Sequence, residues 1–179
     1  MSKHDHYTDD EIAKILADNR IFAFVGASAN NSRPSYFAMK YLLTKGYTII
    51  PINPGLAGQQ ILGQTVYASL ADVPGPIDVV DIFRNSEAAY GITQEVIALK
   101  EERAIKVLWM QLGVRNDHAA REAETAGLKV IMNRCPKIEY GRLSGEIVWA
   151  GVNTKTISSL KPKLAGNGLQ SHMITSPNR

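Results

Sequence analysis

The chain has 179 residues, 45% of them hydrophobic and 21% charged, proportions of an ordinary globular domain that exclude a collagen, a coiled coil or wholesale disorder. The length fits one domain large enough to bury a real core, and no apolar stretch approaches the ~20 residues of a membrane span. The net charge of +3 is concentrated at one end: Lys155, Lys161, Lys163 and Arg179 follow the last acidic residue, Glu146, and the body before them carries 16 basic against 17 acidic residues, so the sequence has no uniformly basic nucleic-acid footprint.

The opening MSKHDHYTDDEI is polar and acidic, unlike a secretory leader. His4 and His6 within it resemble an incidental metal site. Thr8 and Glu11 fit a capping box, and Ile12, Ile15 and Leu16 recur at helical spacing, so the first element is a helix over 8–19. Ile21–Val25 is a short apolar run suited to a strand buried on both faces. Pro34 fits the first turn of the next helix, with Ser32 or Arg33 just before it, and Gly46 stops that helix. Tyr47–Ile52 is the second strand, with Pro51 marking its end. Asn53–Gly63 reads as a loop, and Leu70–Val73 as one helical turn. Ile77–Phe83 is the third strand, Glu87–Lys100 a helix with Ser86 as its N-cap, and Ile105–Met110 the fourth strand. Asn116–Ala126 is a helix ended by Gly127, and Leu128–Met132 is the fifth strand. Residues 146–179 form a basic C-terminal extension, read as partly disordered.

Alternating strands and helices with short links imply a parallel sheet covered on both faces. The expected fold class is α/β: a single Rossmann-like, doubly wound domain over residues 1–145, with a five-stranded, mainly parallel sheet flanked by helices. Ligands in such sheets bind beyond the carboxyl ends of the strands, where strand order reverses. Four segments qualify: Gly26–Pro34, Asn53–Gly58, Phe83–Ser86 and Gln111–Arg115.

The first segment is the most informative. It leaves a strand and enters a helix, whose free N–H groups and partial positive charge favour phosphate. Gly26 and Ala27 give a tight turn, Ser28, Asn30, Asn31 and Ser32 give short polar side chains, and Arg33 before Pro34 offers a fork for a phosphate. The pattern is neither G-x-G-x-x-G nor a P-loop. After the second strand stand Asn53, Pro54 and Gly55, where a dinucleotide dehydrogenase usually carries a ribose-binding acid. Phe83 and Arg84 end the third strand, one able to cover an adenine and the other to meet a phosphate. Gln111, Leu112 and Gly113 end the fourth, with Trp109 and Met110 before them as core. Asp78 and Asp81 are polar strand ends or a structural pair. Of the remaining reactive types, His118 reads as an exposed helix histidine and Cys135 as a small packing residue. Cys135, the single cysteine, has no internal disulfide partner, and with no leader the expected compartment is the reducing cytoplasm. No metal, nucleophile-elbow or paired-cysteine motif occurs, so the catalytic and metal sets are empty.

The stretches VGASANNSRPSY, KGYTIIPINPG, ILGQTVYASLADVP, IDVVDIFR, VLWMQLGV and NRCPKIEYGRL, in that order over about 21–143, resemble the small single-domain CoA-binding proteins of bacteria. Their domain is similar to the N-terminal CoA-binding domain of the succinyl-CoA synthetase alpha subunit. The resemblance implies coenzyme A or an acyl-CoA as ligand. By position, Gly26, Ser28, Asn30 and Asn31 match the first diphosphate-binding turn. Pro54 and Gly55 match the turn after the second strand, Phe83 and Arg84 the third-strand edge, and Gln111, Leu112 and Gly113 the fourth-strand edge. Leu56 stands near the place of a phosphate-binding lysine in the ligase, and Arg33 or Arg84 is the substitute. The ligase phosphohistidine belongs to a second domain, so the resemblance implies a binding module with no catalysis of its own, with a homo-oligomer or a protein partner left open. Two other classes stand beside it: an NAD(P)-dependent oxidoreductase, and a redox or regulatory module built on Cys135 or bound CoA.

Overall fold

A computed structural model describes residues 3–145; the expected basic extension lies outside the described residues. Five strands, β1 (Ile21–Val25), β2 (Thr48–Ile52), β5 (Val79–Ile82), β6 (Val107–Met110) and β7 (Lys129–Ile131), form one sheet in the order β2-β1-β5-β6-β7. Every pairing within it is parallel. The chain runs from β1 outward to β2, then returns to the other side of β1 for β5. Strand order therefore reverses between β1 and β5, the place where the fold opens a crevice.

The strands are apolar along their length because both faces are covered. On one face Ala23, Val80, Leu108 and Val130 pack with Ala89 and Val96 of α3 (Ser86–Arg103) and with Ala119, Ala120 and Ala123 of α4 (Asp117–Thr125). On the other, Phe22, Phe24, Trp109 and Ile131 meet Ile12, Ile15 and Leu16 of α1 (Asp9–Asp18) and Ala38, Met39 and Leu42 of α2 (Pro34–Thr44). Helix α5 (Pro136–Leu143) completes this second face through Tyr140 and Leu143.

The local signals act as their chemistry dictates. Thr8 caps α1, its Oγ1 accepting from the Glu11 amide at 3.2 Å, while the Glu11 carboxylate reaches Lys129 at 3.4 Å. Pro34 opens α2 at its first position. Pro51 is the penultimate residue of β2, an edge strand, where a missing N–H is tolerated. At the start of the sheet Asp78 accepts from the Arg20 and Ile21 amides at 2.9 and 3.0 Å and pairs with Lys106 at 2.6 Å.

Three local expectations are corrected and one element is new. The N-cap of α3 is Asn85, whose Oδ1 accepts from the Ala88 amide at 2.9 Å, whereas the Ser86 hydroxyl accepts from the Arg115 amide at 3.0 Å. The segment expected as a loop holds a 3-10 turn (Pro54–Leu56) and a two-stranded antiparallel hairpin, β3 (Gln60–Ile61) with β4 (Gln64–Thr65). Leu62 and Gly63 turn this hairpin at φ 49° and 78°; a leucine in that conformation hides the Asn-Gly signal by which such turns are recognised. Residues 70–73 make a hydrogen-bonded turn, with Val73 N–H on Leu70 O at 3.3 Å, and no helix. Helix α5 itself was not expected from the sequence. It is only eight residues long, too short for periodicity to speak.

Candidate functional site

The crevice at the strand reversal is a cleft of about 450 Å³ lined by Gly26, Ser28, Arg33, Pro34, Ser35, Phe83, Arg84 and Asn85. One wall is the turn from β1 into α2, the other the end of β5 and the entry to α3. Gly26 makes their approach close. Its φ is +91°, and a Cβ there would lie 2.9 Å from Arg84 Cδ, 3.2 Å from Arg84 Cγ and 3.4 Å from the Phe83 carbonyl carbon. The position therefore favours glycine for its conformation, and a side chain there would push the Arg84 stem aside.

The turn is held by its own polar groups. The Gly26 and Ala27 amides both donate to Ile52 O, at 3.0 and 3.2 Å. The Ser28 amide donates to Ser35 Oγ, and Ser28 Oγ accepts from the Asn30 amide, both at 3.2 Å. Asn30 Oδ1 accepts from the Ser32 amide at 2.9 Å and from the Ser32 hydroxyl at 2.7 Å. Asn30 and Ser32 thus shape the loop, and exposed Asn31 stands outside the cleft. Helix α2 starts at Pro34 with Arg33 as an N-cap whose side chain makes no capping bond, so its N-terminal partial charge is not neutralised by a local acid.

The electrostatics of the cleft are one-sided. Among the described residues no carboxylate lines it. Arg33 and Arg84 are exposed, and among the described residues neither has an ion-pair partner. Arg20 and Arg121 likewise have no ion pair among the described residues, whereas Arg115 is held by Asp5 and Asp117, Arg142 by Asp9 and Glu139, Arg134 by Glu139 and Arg103 by Glu102. Phe83, half-buried, rests on Phe24 with ring centroids 4.7 Å apart. This arrangement suits an anionic ligand with a planar, apolar part. Among the described residues the cleft's lining includes no Asp, Glu, His, Lys, Cys or Tyr.

The structure thus brings together six of the residues singled out from the sequence, Gly26, Ser28, Arg33, Pro34, Phe83 and Arg84. Ala27 is buried beneath the turn and joined to the next loop, where Asn53 Nδ2 donates to Ala27 O at 2.7 Å. Asn53 Oδ1 accepts from the Gly55 amide at 2.9 Å and caps the 3-10 turn that Pro54 opens. Asn53, Pro54 and Gly55 form a shelf beside the cleft rather than its lining. Gln111, Leu112 and Gly113 lie on the far side of β5, after β6. Gly113 donates to Asn133 Oδ1 at 2.8 Å, and Leu112 is 60% exposed. Ser35 and Asn85 also line the cleft. Asn85 lies within the expected segment Phe83–Ser86 without having been singled out, and Ser35 stands one residue beyond Gly26–Pro34.

Beyond the cleft lies a second polar group. Asp81, fully buried in β5, accepts from Gln111 Nε2 at 3.2 Å through Oδ2, while Oδ1 has no partner among the described residues. Burial pushes its carboxyl well above the usual carboxylate range, against the pull of Gln111. Cys135, the N-cap residue of α5, is half-buried, and burial pushes its thiol above the usual range, with Asp81 acting in the same sense and Gln111 against it. His4 is buried against Tyr7, with 2.8 Å between Nδ1 and the hydroxyl oxygen, and His118 is exposed beside Glu122. Among the described residues no group of three metal-ligating side chains converges, and no helix is long and apolar enough to cross a membrane.

Comparison with known proteins shows the family. The family model described as a CoA binding domain matches residues 20–141. The uncharacterized protein YneT of Bacillus subtilis (strain 168) is 35% identical over 130 residues, covering 73% of this chain and 92% of YneT. A hypothetical protein from Pyrococcus horikoshii OT3 of known structure is 34% identical, with a TM-score of 0.71, over 79% of this chain and 96% of its own. The dinucleotide-forming acetyl-coenzyme A synthetase 1 of Ca. Korarchaeum cryptofilum has a TM-score of 0.52 at 23% identity, over 63% of this chain and 26% of the enzyme. That last likeness shows the fold alone.

Proposed function

The chain belongs to the CoA-binding domain family, and from that premise we propose that it is a binding module for coenzyme A or an acyl-CoA, held at the strand reversal. The observation that carries the reading is the pair Arg33 and Arg84, on opposite walls of a cleft without carboxylates and without ion-pair partners among the described residues. CoA presents a diphosphate and a ribose phosphate, and guanidinium groups bind such oxygens through charge-assisted, forked hydrogen bonds. The α2 N-terminus adds positive potential, and Gly26 lets backbone and phosphate approach closely. Phe83 offers a face to the adenine. Asn53–Gly55 and Gln111–Gly113 are the ledges on either side along which the rest of the ligand extends. The binding domain comprises residues 1–145 with the basic extension after it, and a cytoplasmic site of action fits the lone cysteine.

One feature disfavours the dinucleotide alternative. An NAD site carries an acid after β2 for the ribose hydroxyls. Here Asn53 stands in that place, with both its Oδ1 and its Nδ2 engaged by the protein.

A thermal-shift screen with CoA, acetyl-CoA, succinyl-CoA, NAD, NADP and ATP tests the reading. A ligand at a hundredfold excess over Kd stabilises the fold by about 2.7 kcal/mol. Stabilisation by the CoA compounds alone is expected. Stabilisation by NAD alone would transfer the site to the dinucleotide class.

A further inference from the structure

We propose that Cys135 forms a reversible mixed disulfide with the thiol end of CoA bound in the cleft, by exchange with CoA disulfide. The inference rests on the CoA reading and extends it to the other end of the ligand.

The placement follows from the sheet. The Arg134 amide donates to Met110 O at 3.4 Å, and Trp109 Nε1 donates to Arg134 O at 2.8 Å. These bonds fix the residue before Cys135 to the carboxyl end of β6. The cleft lies at the carboxyl ends of β1 and β5. Cys135 is thus on the same edge, about two strand spacings, or ~10 Å, from the cleft. An extended pantetheine arm spans more than that. It would cross the ledge of Gln111 and Leu112 on the way.

The surroundings of the sulphur are polar beyond what the fold requires. Cys135 is the N-cap residue of α5, its side chain making no capping hydrogen bond; burial pushes its thiol above the usual range, with Asp81 acting in the same sense and Gln111 and the Ile138 and Lys137 amides against it. Gln111 is itself fixed, donating to Asp81 at 3.2 Å and accepting from the Leu112 amide at 3.0 Å. Asp81, within electrostatic reach of the same sulphur, is fully buried and keeps one oxygen unpartnered among the described residues. A residue that served only to fill space would not need such a set. Leu112 and Ile138, 60% and 42% exposed, flank it with apolar surface, which suits the hydrocarbon part of the arm.

The chemistry balances as thiol–disulfide exchange. The Cys135 thiolate attacks the near sulphur of CoA disulfide, the Cys135–CoA sulphur bond forms, and the disulfide of the reagent breaks. The departing CoA leaves as a thiolate and takes up the proton that Cys135 has lost. One disulfide is consumed and one is made, so no further oxidant is needed.

The test incubates the full chain with CoA disulfide and measures intact mass without reductant. Cys135 is the single cysteine, so every disulfide adduct maps to it. The expected result is one CoA adduct per chain, reversed by dithiothreitol, absent in Cys135→Ser, formed at least tenfold faster than the glutathione adduct and slowed by excess desulfo-CoA. Absence of the adduct, or equal rates for both disulfides with no effect of desulfo-CoA, overturns the proposal. Calorimetry with desulfo-CoA separates the two claims. Binding without an adduct removes the disulfide and leaves the CoA site standing, whereas no binding removes the site as well.

Discussion

Replacing Gly26 by alanine tests how the two walls of the cleft depend on each other. The φ of +91° costs a residue with a Cβ about 1–2 kcal/mol. The new Cβ also meets Arg84 Cδ at 2.9 Å and the Phe83 carbonyl carbon at 3.4 Å. The backbone contact is tolerable, and the arginine side chain is flexible. The Arg84 stem therefore swings away, which costs little stability but takes its guanidinium off the wall. A charged hydrogen bond contributes about 1.5–3 kcal/mol, so CoA affinity is expected to fall about tenfold to a hundredfold. Urea denaturation reads the first effect and titration calorimetry the second. The cause is isolated by a double-mutant cycle. If the loss of affinity runs through Arg84, Gly26→Ala adds almost nothing to Arg84→Ala. Losses that simply sum, or a Gly26→Ala protein with unchanged stability and affinity, would refute the reasoning.

Three further outcomes are expected. Ser28→Glu puts a carboxylate into the cleft and should weaken CoA by more than tenfold with unaltered circular dichroism; retention of affinity would remove Ser28 from the site. Asp78→Asn should lower stability at pH 7 by about 1–3 kcal/mol. Burial alone would raise the Asp78 carboxyl, but Lys106 and the Arg20 and Ile21 amides together hold it below its usual value, so its contribution exists above the unfolded pKa and is lost as pH falls through the folded one. Urea midpoints of the two proteins should therefore converge in acid, and a constant gap would contradict the assignment. Asp81→Asn should do the reverse. A carboxyl raised by burial weakens the fold progressively as pH rises above its unfolded value towards its folded one, so the variant should be the more stable protein at alkaline pH and equal to wild type in acid, as followed by thermal melts.

Much of this molecule was legible in its sequence because local and global preferences agree. Ile21–Val25 is a strand to the residue, since a five-residue apolar run ended by glycine has few other uses. Thr8, Pro34, Gly46 and Gly127 punctuate as their backbone chemistry requires. What escaped was structure held by tertiary contacts. Helix α5 depends on Tyr140 and Leu143 packing beside α1 and α2. The β3–β4 hairpin turns through a leucine at positive φ. The site was legible in part for a similar reason. Gly26 and Arg84 stand just past strand ends and Arg33 caps the helix that follows β1, on the edge that topology gathers. Gln111 was singled out at the end of the fourth strand, but its bond to Asp81 was not, because no pattern in VVDI announces the complete burial of Asp81 in the middle of an apolar strand.

The central claim is that CoA is held by Arg33 and Arg84 at the strand reversal. It is tested most directly by titrating CoA calorimetrically into the wild-type protein and into the Arg33→Glu, Arg84→Glu double variant in one buffer. The account requires a saturable site in the wild type and an affinity at least a hundredfold weaker in the variant, with both proteins folded. Equal affinity in the two would contradict it and move the ligand elsewhere on the molecule.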